Sequence, residues 1–498
     1  MTPIPPKRTG VAAGSCSTWL LVVVALCFAG CESSQRLVRN DQAVRALHYR
    51  ALTEKIASLL PDSLFPPARV AVKIISLKDT ALIFDRNAQY LFTPASNEKL
   101  FSSATALAFL GPQYRLESSV AFDAYSRRIY IRGGGDPLLS DADLDSLARS
   151  LRPAVSGTNP WTVVGDASRF DSLYWGKGWM WDDQGDATGM AVSALSADGN
   201  FVEVVVRGGE TIGIPAMVSV SPPTSYVTTE NHAVVVDSVR NTLLIGRPLQ
   251  HQSNRLTIHG DILPGTSHSF KVAVWEPEMF TLQLFRESLE RTGIRCSALV
   301  LDTMPRNIPV VATISHRLDS VIFYMNKTSD NLTAECLTKT LGAEAAQSPG
   351  SWDAGTAVIR RFLSSMRIDT TRIVLADGSG LSRYDLTSAD AIITLLSDIY
   401  HHPEVYPGFV ASLPIAGEDG TLSHRMRHGG AYHVLRAKTG TATGVSSLSG
   451  FTTSADGFPI AFSILMQDYP GSSHVYRAIQ DSIGQVLSEW KLVEDAGK

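Results

Sequence analysis

The chain has 498 residues, 44% of them hydrophobic, which is enough for two or three packed domains. Its 44 Lys and Arg against 48 Asp and Glu leave a net charge of −4, with no basic run beyond single pairs. That pattern excludes the electrostatic footprint of a nucleic-acid binder, so no nucleic-acid partner is expected. No C-x-x-C or H-E-x-x-H occurs, and His401 and His402 are adjacent rather than spaced for one ligand face. Neither a metal nor another cofactor is therefore expected.

Residues 1–30 read as a signal peptide, with Lys7 and Arg8 as the basic region and Trp19 to Leu26 as the apolar one. The segment ends in Phe28-Ala29-Gly30-Cys31, which resembles a bacterial lipobox and makes Cys31 a candidate lipidation site; the alternative is a cut leader with a chance cysteine. Export to the periplasm or cell envelope follows, with a lipid anchor at Cys31 and a tether over 31–44. Of the five cysteines, Cys16 and Cys27 fall in the leader. Cys296 and Cys336 could bridge in an oxidising compartment, but two buried thiols are the preferred reading.

An amphipathic helix is predicted from Gln42 to Leu60, then strands Arg69–Ile75 and Ala81–Phe84 joined by a turn at Lys78-Asp79-Thr80. A helical run follows, opening at Ser96-Asn97-Glu98-Lys99 and stopped by Gly111-Pro112. From about Tyr114 to Lys271 short alternating runs are broken by Gly, Pro, Asn and Asp, which predicts a mostly β insertion over 114–271 with one helix at Asp141–Leu151. Gly133-Gly134-Gly135-Asp136-Pro137 lacks the G-K-[ST] of a phosphate loop and reads as a tight turn. Trp175, Trp179 and Trp181 could line a sugar groove, though a packed aromatic corner is the preferred reading. Helices are predicted at Pro277–Arg291, Leu332–Leu341, Asp353–Ser365 and Ser388–Tyr400. Strands Val434–Ala437, Leu448–Thr453 and Ile460–Met466 and a last helix, His474–Trp490, complete the chain. This assigns 45–113 and 272–498 to one discontinuous domain around the insertion.

Ser96 and Lys99 are three residues apart on a helix and share a face, the geometry for a serine nucleophile with a lysine base. Ser488-Glu489-Trp490-Lys491 has the same spacing but no companion motif. Ser96-x-x-Lys99 is followed by Ser329-Asp330-Asn331 and by Lys438-Thr439-Gly440-Thr441. Acyl transfer needs an activated hydroxyl, a base, a proton relay to the leaving amine and donors aimed at the developing oxyanion. Ser96 is the candidate nucleophile and Lys99 its base; lowering a lysine from about 10.4 to about 7 costs about 4–5 kcal/mol. Desolvation and a second cation, Lys438, can supply that shift. Ser329 is the candidate relay, and the Asn331 amide would hold Lys99 or a substrate carbonyl. The strand at Val434–Ala437 is expected to end where the Lys438 motif begins, beside an edge on which a substrate strand could pair. Gly440 lets backbone approach substrate there. The N–H groups of Ser96 and Thr441 would form the oxyanion hole, and Thr439, Thr441 and Lys438 would hold a free C-terminal carboxylate.

The three motifs in this order are the signature of penicillin-binding proteins and class A β-lactamases. With Asp377-Gly378-Ser379-Gly380-Leu381-Ser382-Arg383, Trp179-Met180-Trp181-Asp182-Asp183 and Gly420-Thr421-Leu422, the chain resembles the D-alanyl-D-alanine carboxypeptidase/endopeptidases of peptidase family S13 from about residue 45 to about 490. The 230 positions between Lys99 and Ser329 match that family's inserted domains, one nested in another, and exceed what a β-lactamase has. The resemblance implies an α+β fold, a serine β-lactamase-like transpeptidase domain whose antiparallel sheet is flanked by helices. It also implies peptidoglycan stem peptides as substrates and β-lactams as covalent inhibitors. Asp385 departs from the family, which often has Asn there. A serine β-lactamase is the nearest enzymatic alternative, but class A enzymes use a glutamate a few tens of residues past S-D-N, and no Glu occurs between Glu344 and Glu404. A non-catalytic, glycan-binding envelope protein is the alternative from another class; losing Ser96, Lys99 or Lys438 would mark it, and all three are present.

Overall fold

The computed structural model describes residues 49–65, 67–155, 159–185, 187–247 and 253–491; the leader, Cys31 and the tether lie outside them. A helix over 49–58 (α1) leads into β1 (Arg69–Ser76) and β2 (Leu82–Arg86), and a short turn then opens α2 (Lys99–Leu110). The same layer is completed from the far end of the chain by β14 (Arg436–Ala442), β15 (Val445–Thr453) and β16 (Pro459–Gln467). These five strands form one antiparallel sheet in the order β14-β15-β16-β1-β2.

Both faces of this sheet are covered, so its strands are apolar on both sides. Val70, Val72 and Ile74 of β1 face α1 and α10 (His474–Glu489), whose Leu52, Ile56, Ile479, Ile483 and Leu487 close that core. Ala71, Ala461 and Leu465 face the opposite layer: α2, α5 (Leu318–Thr328), α6 (Asn331–Ala346), α7 (Trp352–Ser365), α8 (Ala389–Tyr400) and α9 (Tyr406–Ser412).

Between α2 and α5 the chain builds a second body. β3 (Arg115–Asp123), β4 (Arg128–Gly133), α3 (Asp141–Leu151) and β5 (Trp161–Asp166) come first. A Ser140/Asp143 capping box starts α3. Next come β6 (Phe201–Arg207), β7 (Met217–Ser221), β8 (Thr228–Val235), β9 (Leu244–Gly246), β10 (Arg255–Ile262) and β11 (Ser267–Ala273), in two three-stranded sheets, β11-β6-β7 and β8-β10-β9. Helix α4 (Pro277–Arg291) and strands β12 (Cys296–Leu301) and β13 (Val310–Arg317) follow.

The return to the first body expected at residue 272 is corrected by strand pairing. β12 runs parallel to β5 and β13 antiparallel to β3, closing a five-stranded sheet in the order β12-β5-β4-β3-β13. Helix α4 also buries Phe280, Leu284, Phe285 and Leu289 in this second core. The inserted strands therefore extend to Arg317, and the first body resumes at Leu318 with α5. Cys296 and Cys336 are free thiols.

Candidate active site

Ser96 sits in a 3-10 turn, Ala95–Glu98, that runs straight into α2 with Lys99 as its first residue. Ala95 is held at φ 47°, an unusual conformation for a residue with a Cβ, and it fixes the entry of the turn. The Lys99 Nζ lies 3.0 Å from Ser96 Oγ, 2.6 Å from Asn331 Oδ1 and 2.9 Å from the Ser379 carbonyl oxygen. Every direction open to the amine thus ends on an oxygen.

The Ser329-Asp330-Asn331 motif is the junction of two helices. Ser329 closes α5 in the left-handed region at φ 61°, Asp330 caps α6 by accepting the Thr333 N–H at 2.7 Å, and Asn331 is the first residue of α6. The junction aims Ser329 Oγ at Lys438, whose Nζ donates to it at 2.8 Å and to the Thr439 carbonyl at 2.9 Å. Asn331 also donates from Nδ2 to the Thr188 carbonyl at 2.8 Å, which ties the junction to the inserted body.

Lys438-Thr439-Gly440-Thr441 lies within β14 and not beyond its end: the strand expected to stop at Ala437 continues to Ala442. β14 is an edge strand, and Asn97 clamps it by donating from Nδ2 to the Lys438 carbonyl at 3.0 Å. A Cβ at Gly440 would stand 2.1 Å from Ser447 Oγ, 2.8 Å from the Pro94 carbonyl and 3.1 Å from the Ser96 nitrogen. Only glycine lets the strand lie this close to the Ser96 backbone. Thr439 Oγ1 donates to Thr421 Oγ1 at 2.7 Å, and Thr441 Oγ1 accepts from Arg477 at 3.2 Å.

Ser96, Lys99, Ser329, Asn331, Lys438, Thr439, Gly440 and Thr441 are thus brought to one place. Burial is the main force lowering Lys99 to about 8; the carboxyls of Glu335, Asp377, Asp330 and Glu98 push the other way. Lys438 is driven well below its ordinary value, first by burial and then by the Lys99 charge. Each of the two desolvated amines thus holds a serine hydroxyl with which it can exchange a proton away from water.

The sequence shows Glu98, Asp377 and Asp385 within motifs without placing them at the site, and Glu335 carries no motif at all. Glu98, Glu335, Asp377 and Asp385 are all buried around Lys99 and the 376–385 loop. One available signal was spacing, since Glu335 follows Asn331 by four residues and shares its helix face. Of the tryptophans, Trp175 stacks on Trp275 and Trp179 meets Trp352 edge-on, as a packed corner does, while Trp181 is exposed. Trp179 also donates to Asp377 Oδ2 at 2.9 Å, binding the insertion to the 376–385 loop. Ser488 is buried against Thr452, far in the fold from the three motifs.

Comparison with known proteins agrees with this assembly. Residues 52–490 match the D-Ala-D-Ala carboxypeptidase 3 (S13) family. The chain is 33% identical to a D-alanyl-D-alanine carboxypeptidase of Actinomadura sp. (strain R39) over 98% of this chain and 93% of that one. It is 26% identical to a D-alanyl-D-alanine carboxypeptidase of Haemophilus influenzae over 79% of this chain and 84% of the relative. In fold it is similar to the crystal structure of penicillin binding protein 4 from Haemophilus influenzae, with a TM-score of 0.75 and 23% identity across 86% of this chain and 98% of that one. Neither a β-lactamase nor a non-catalytic glycan binder is favoured by these likenesses. The chain belongs to the D-Ala-D-Ala carboxypeptidase 3 (S13) family and is a serine D-alanyl-D-alanine carboxypeptidase with the α+β fold of a penicillin-binding protein.

Proposed function

We propose that this site cleaves the bond after D-alanine in peptidoglycan stem peptides through an acyl-enzyme on Ser96. The observation that carries the reading is the pair of contact sets, Asn331–Lys99–Ser96 and Ser329–Lys438, brought together by the Ser329-Asp330-Asn331 junction. Lys99, lowered to about 8, takes the Ser96 proton as Oγ attacks the carbonyl carbon. Ser329, held by Lys438, returns a proton to the departing D-alanine amine. The Ser96 and Thr441 N–H groups stabilise the oxyanion, and Lys438, Thr439 and Thr441 hold the substrate's terminal carboxylate. Water then releases the acyl group.

β-Lactams enter the same path as analogues of the D-alanyl-D-alanine end. A relative in fold, penicillin binding protein 4 of Haemophilus influenzae, is known in complex with a β-lactam. No glutamate is placed in the sequence as a class A β-lactamase places its deacylating base, so the penicilloyl-enzyme turns over slowly. Cross-linked peptides are a second substrate, which makes the enzyme an endopeptidase as well. The leader and Cys31 put it in the cell envelope on a lipid anchor; the mass of the mature N-terminal peptide tests that point. No helix among the described residues is long and apolar enough to cross a membrane.

A fluorescent penicillin tests the chemistry. The expected result is a persistent label on wild type and none on Ser96→Ala; rapid release of hydrolysed penicillin sinks the reading. Mass analysis of digested muropeptides then separates loss of terminal D-alanine from cross-link cleavage.

A further inference from the structure

Four carboxyl side chains, Glu98, Glu335, Asp377 and Asp385, are at most 1% exposed. Their hydrogen bonds sort them. Asp377 accepts from the N–H groups of Ser379 and Gly380 on one oxygen and from Trp179 Nε1 and the Ser382 N–H on the other. Glu335 accepts the Ser379 N–H at 2.9 Å on Oε1, and the Gly378 N–H at 3.0 Å and Trp352 Nε1 at 2.7 Å on Oε2. Neither oxygen of Glu98 has a partner, and Asp385 has one, the Ala376 N–H on Oδ1 at 2.6 Å. N–H donors favour the anion, whereas a buried carboxyl without donors is least costly when neutral. Glu335 and Asp377 are thus the two acids whose charged form the fold solvates, although burial and then the Asp377 charge still push Glu335 up to about 8, while Glu98 and Asp385 are held well above the ordinary carboxylate range.

Glu335 and Asp377 both reach the lysine through Ser379, whose N–H lies 2.9 Å from Glu335 and 3.1 Å from Asp377, but Glu335 also shares the helix of Asn331. Its Oε1 takes the N–H of Ser379, and the carbonyl of the same Ser379 takes the Lys99 amine. One turn earlier on α6, Asn331 holds that amine directly. We infer that Glu335 is a positioning residue for this reaction: its side chain pins the Gly378–Ser379 backbone against Lys99 and, when ionised, places a negative charge beneath the amine.

The surroundings fit that role. The other charged groups of this layer are Glu98 and Lys99 at the start of α2, Asp377 and Asp385 in the loop, Arg360 on α7, which acts on Glu98, and Lys339 on the helix of Glu335. Lys339 is committed to Asp171 at 2.7 Å, and Arg360 to the carbonyls of Thr370, Ile373 and Leu375. Of the charges acting on Lys99, Glu335 is the largest, and it favours the protonated amine. Burial pushes the Lys99 amine toward its neutral form, and an ionised Glu335 pushes it back toward the protonated one.

The inference rests on the reading of Lys99 as the base, and the test separates the two. The rate of acylation by a fluorescent penicillin is followed from pH 5 to 10 in the full chain. In wild type the acid limb reports Lys99. Glu335→Gln removes the charge, so its limb moves to lower pH by about one unit, and its plateau rate falls about tenfold or more as the loop loses an acceptor. Glu335→Asp keeps the charge and should keep the limb in place even where its rate is reduced. Limbs that coincide in all three proteins, or move together in both variants, overturn the inference and leave Glu335 a structural residue. If Glu335→Gln does not fold, Trp352→Phe removes one N–H from the same carboxylate, and a smaller shift in the same direction is expected; no shift there overturns the inference as well. Label on Ser96→Ala would instead sink the underlying site reading, whatever Glu335 does.

Discussion

The second body and the layer beneath Ser96 bury charge in different ways. In the second body the core is hydrocarbon, with Val120, Ile129, Ile131, Val163, Phe280 and Phe285 fully buried, and two of its buried acids face basic side chains, Asp166 with Arg132 and Asp136 with His316, while Glu278 takes the Tyr174 hydroxyl. Beneath Ser96 the amines of Lys99 and Lys438 and the four carboxyls are equally buried, yet none of these amines or carboxyls forms a direct ion pair. Their partners are hydroxyls, amides and backbone. A direct salt bridge would fix a proton in place; neutral partners leave it free to move. The first arrangement serves folding, and the second accepts a cost in stability for a movable proton.

The sharpest way to break this contrast is to remove the reacting atom. Ser96→Ala should lower D-alanine release by about 10⁴-fold or more while leaving the thermal midpoint within the scatter of a surface substitution. Measured activity close to wild type would mean that the charge-rich layer serves some other chemistry.

Phe280→Ala should do the reverse. A fully buried ring in the second core is lost, for about 3–5 kcal/mol of stability, with D-alanine release per folded molecule unchanged. Denaturant unfolding and activity at matched folded fraction check it. A rate that falls in step with stability would show that the two bodies are one energetic unit, through Trp179–Asp377 and Asn331–Thr188.

How much of this was legible beforehand follows the same division. The three motifs are local, so their spacing gave the nucleophile, base and relay candidates, and α2, α4 and α8 followed from periodicity. The domain boundary did not, because the pairing of β12 with β5 joins residues far apart in the chain and α4 carries the same helical pattern whichever core it faces. The acid layer was missed for a different reason. Glu98 and Glu335 look like ordinary polar positions on helices, and only the fold shows that they face inward. The end of β14 expected at Ala437 falls short of the observed one because Lys438-Thr439-Gly440-Thr441 lacks the apolar alternation that marks a strand in sequence; the buried Lys438 reaches Ser329 instead of a hydrocarbon core.

Gly440→Ala sharpens the contrast within the catalytic layer itself. The added carbon meets backbone at Pro94 as well as Ser447 Oγ, so β14 must shift away from Ser96. Acylation should slow about 100-fold, in the maximal rate more than in substrate affinity. Steady-state kinetics on a D-alanyl-D-alanine peptide decides it, and a normal maximal rate would mean that the close approach of β14 to Ser96 is packing alone.

The smallest effect is expected at Asp385, and it bears on why this chain has Asp where its family often has Asn. Asp385 Oδ1 accepts the Ala376 N–H, while Oδ2 is buried without a donor beside Asp377, and burial followed by the Asp377 charge holds the group well above the ordinary carboxylate range. A neutral carboxyl in that position presents one acceptor and one donor, as an asparagine amide would. Asp385→Asn should therefore leave D-alanine release within about twofold. Stability carries the sign. A folded-state pKa raised above the unfolded one is a contribution fully present below about pH 4 and lost as pH rises through the folded value, whereas the amide has no proton to lose. The variant should match wild type in thermal midpoint near pH 4 and exceed it by a growing margin toward pH 8. A margin that stays flat, or an asparagine variant that loses activity at every pH, would place a charged Asp385 in the layer.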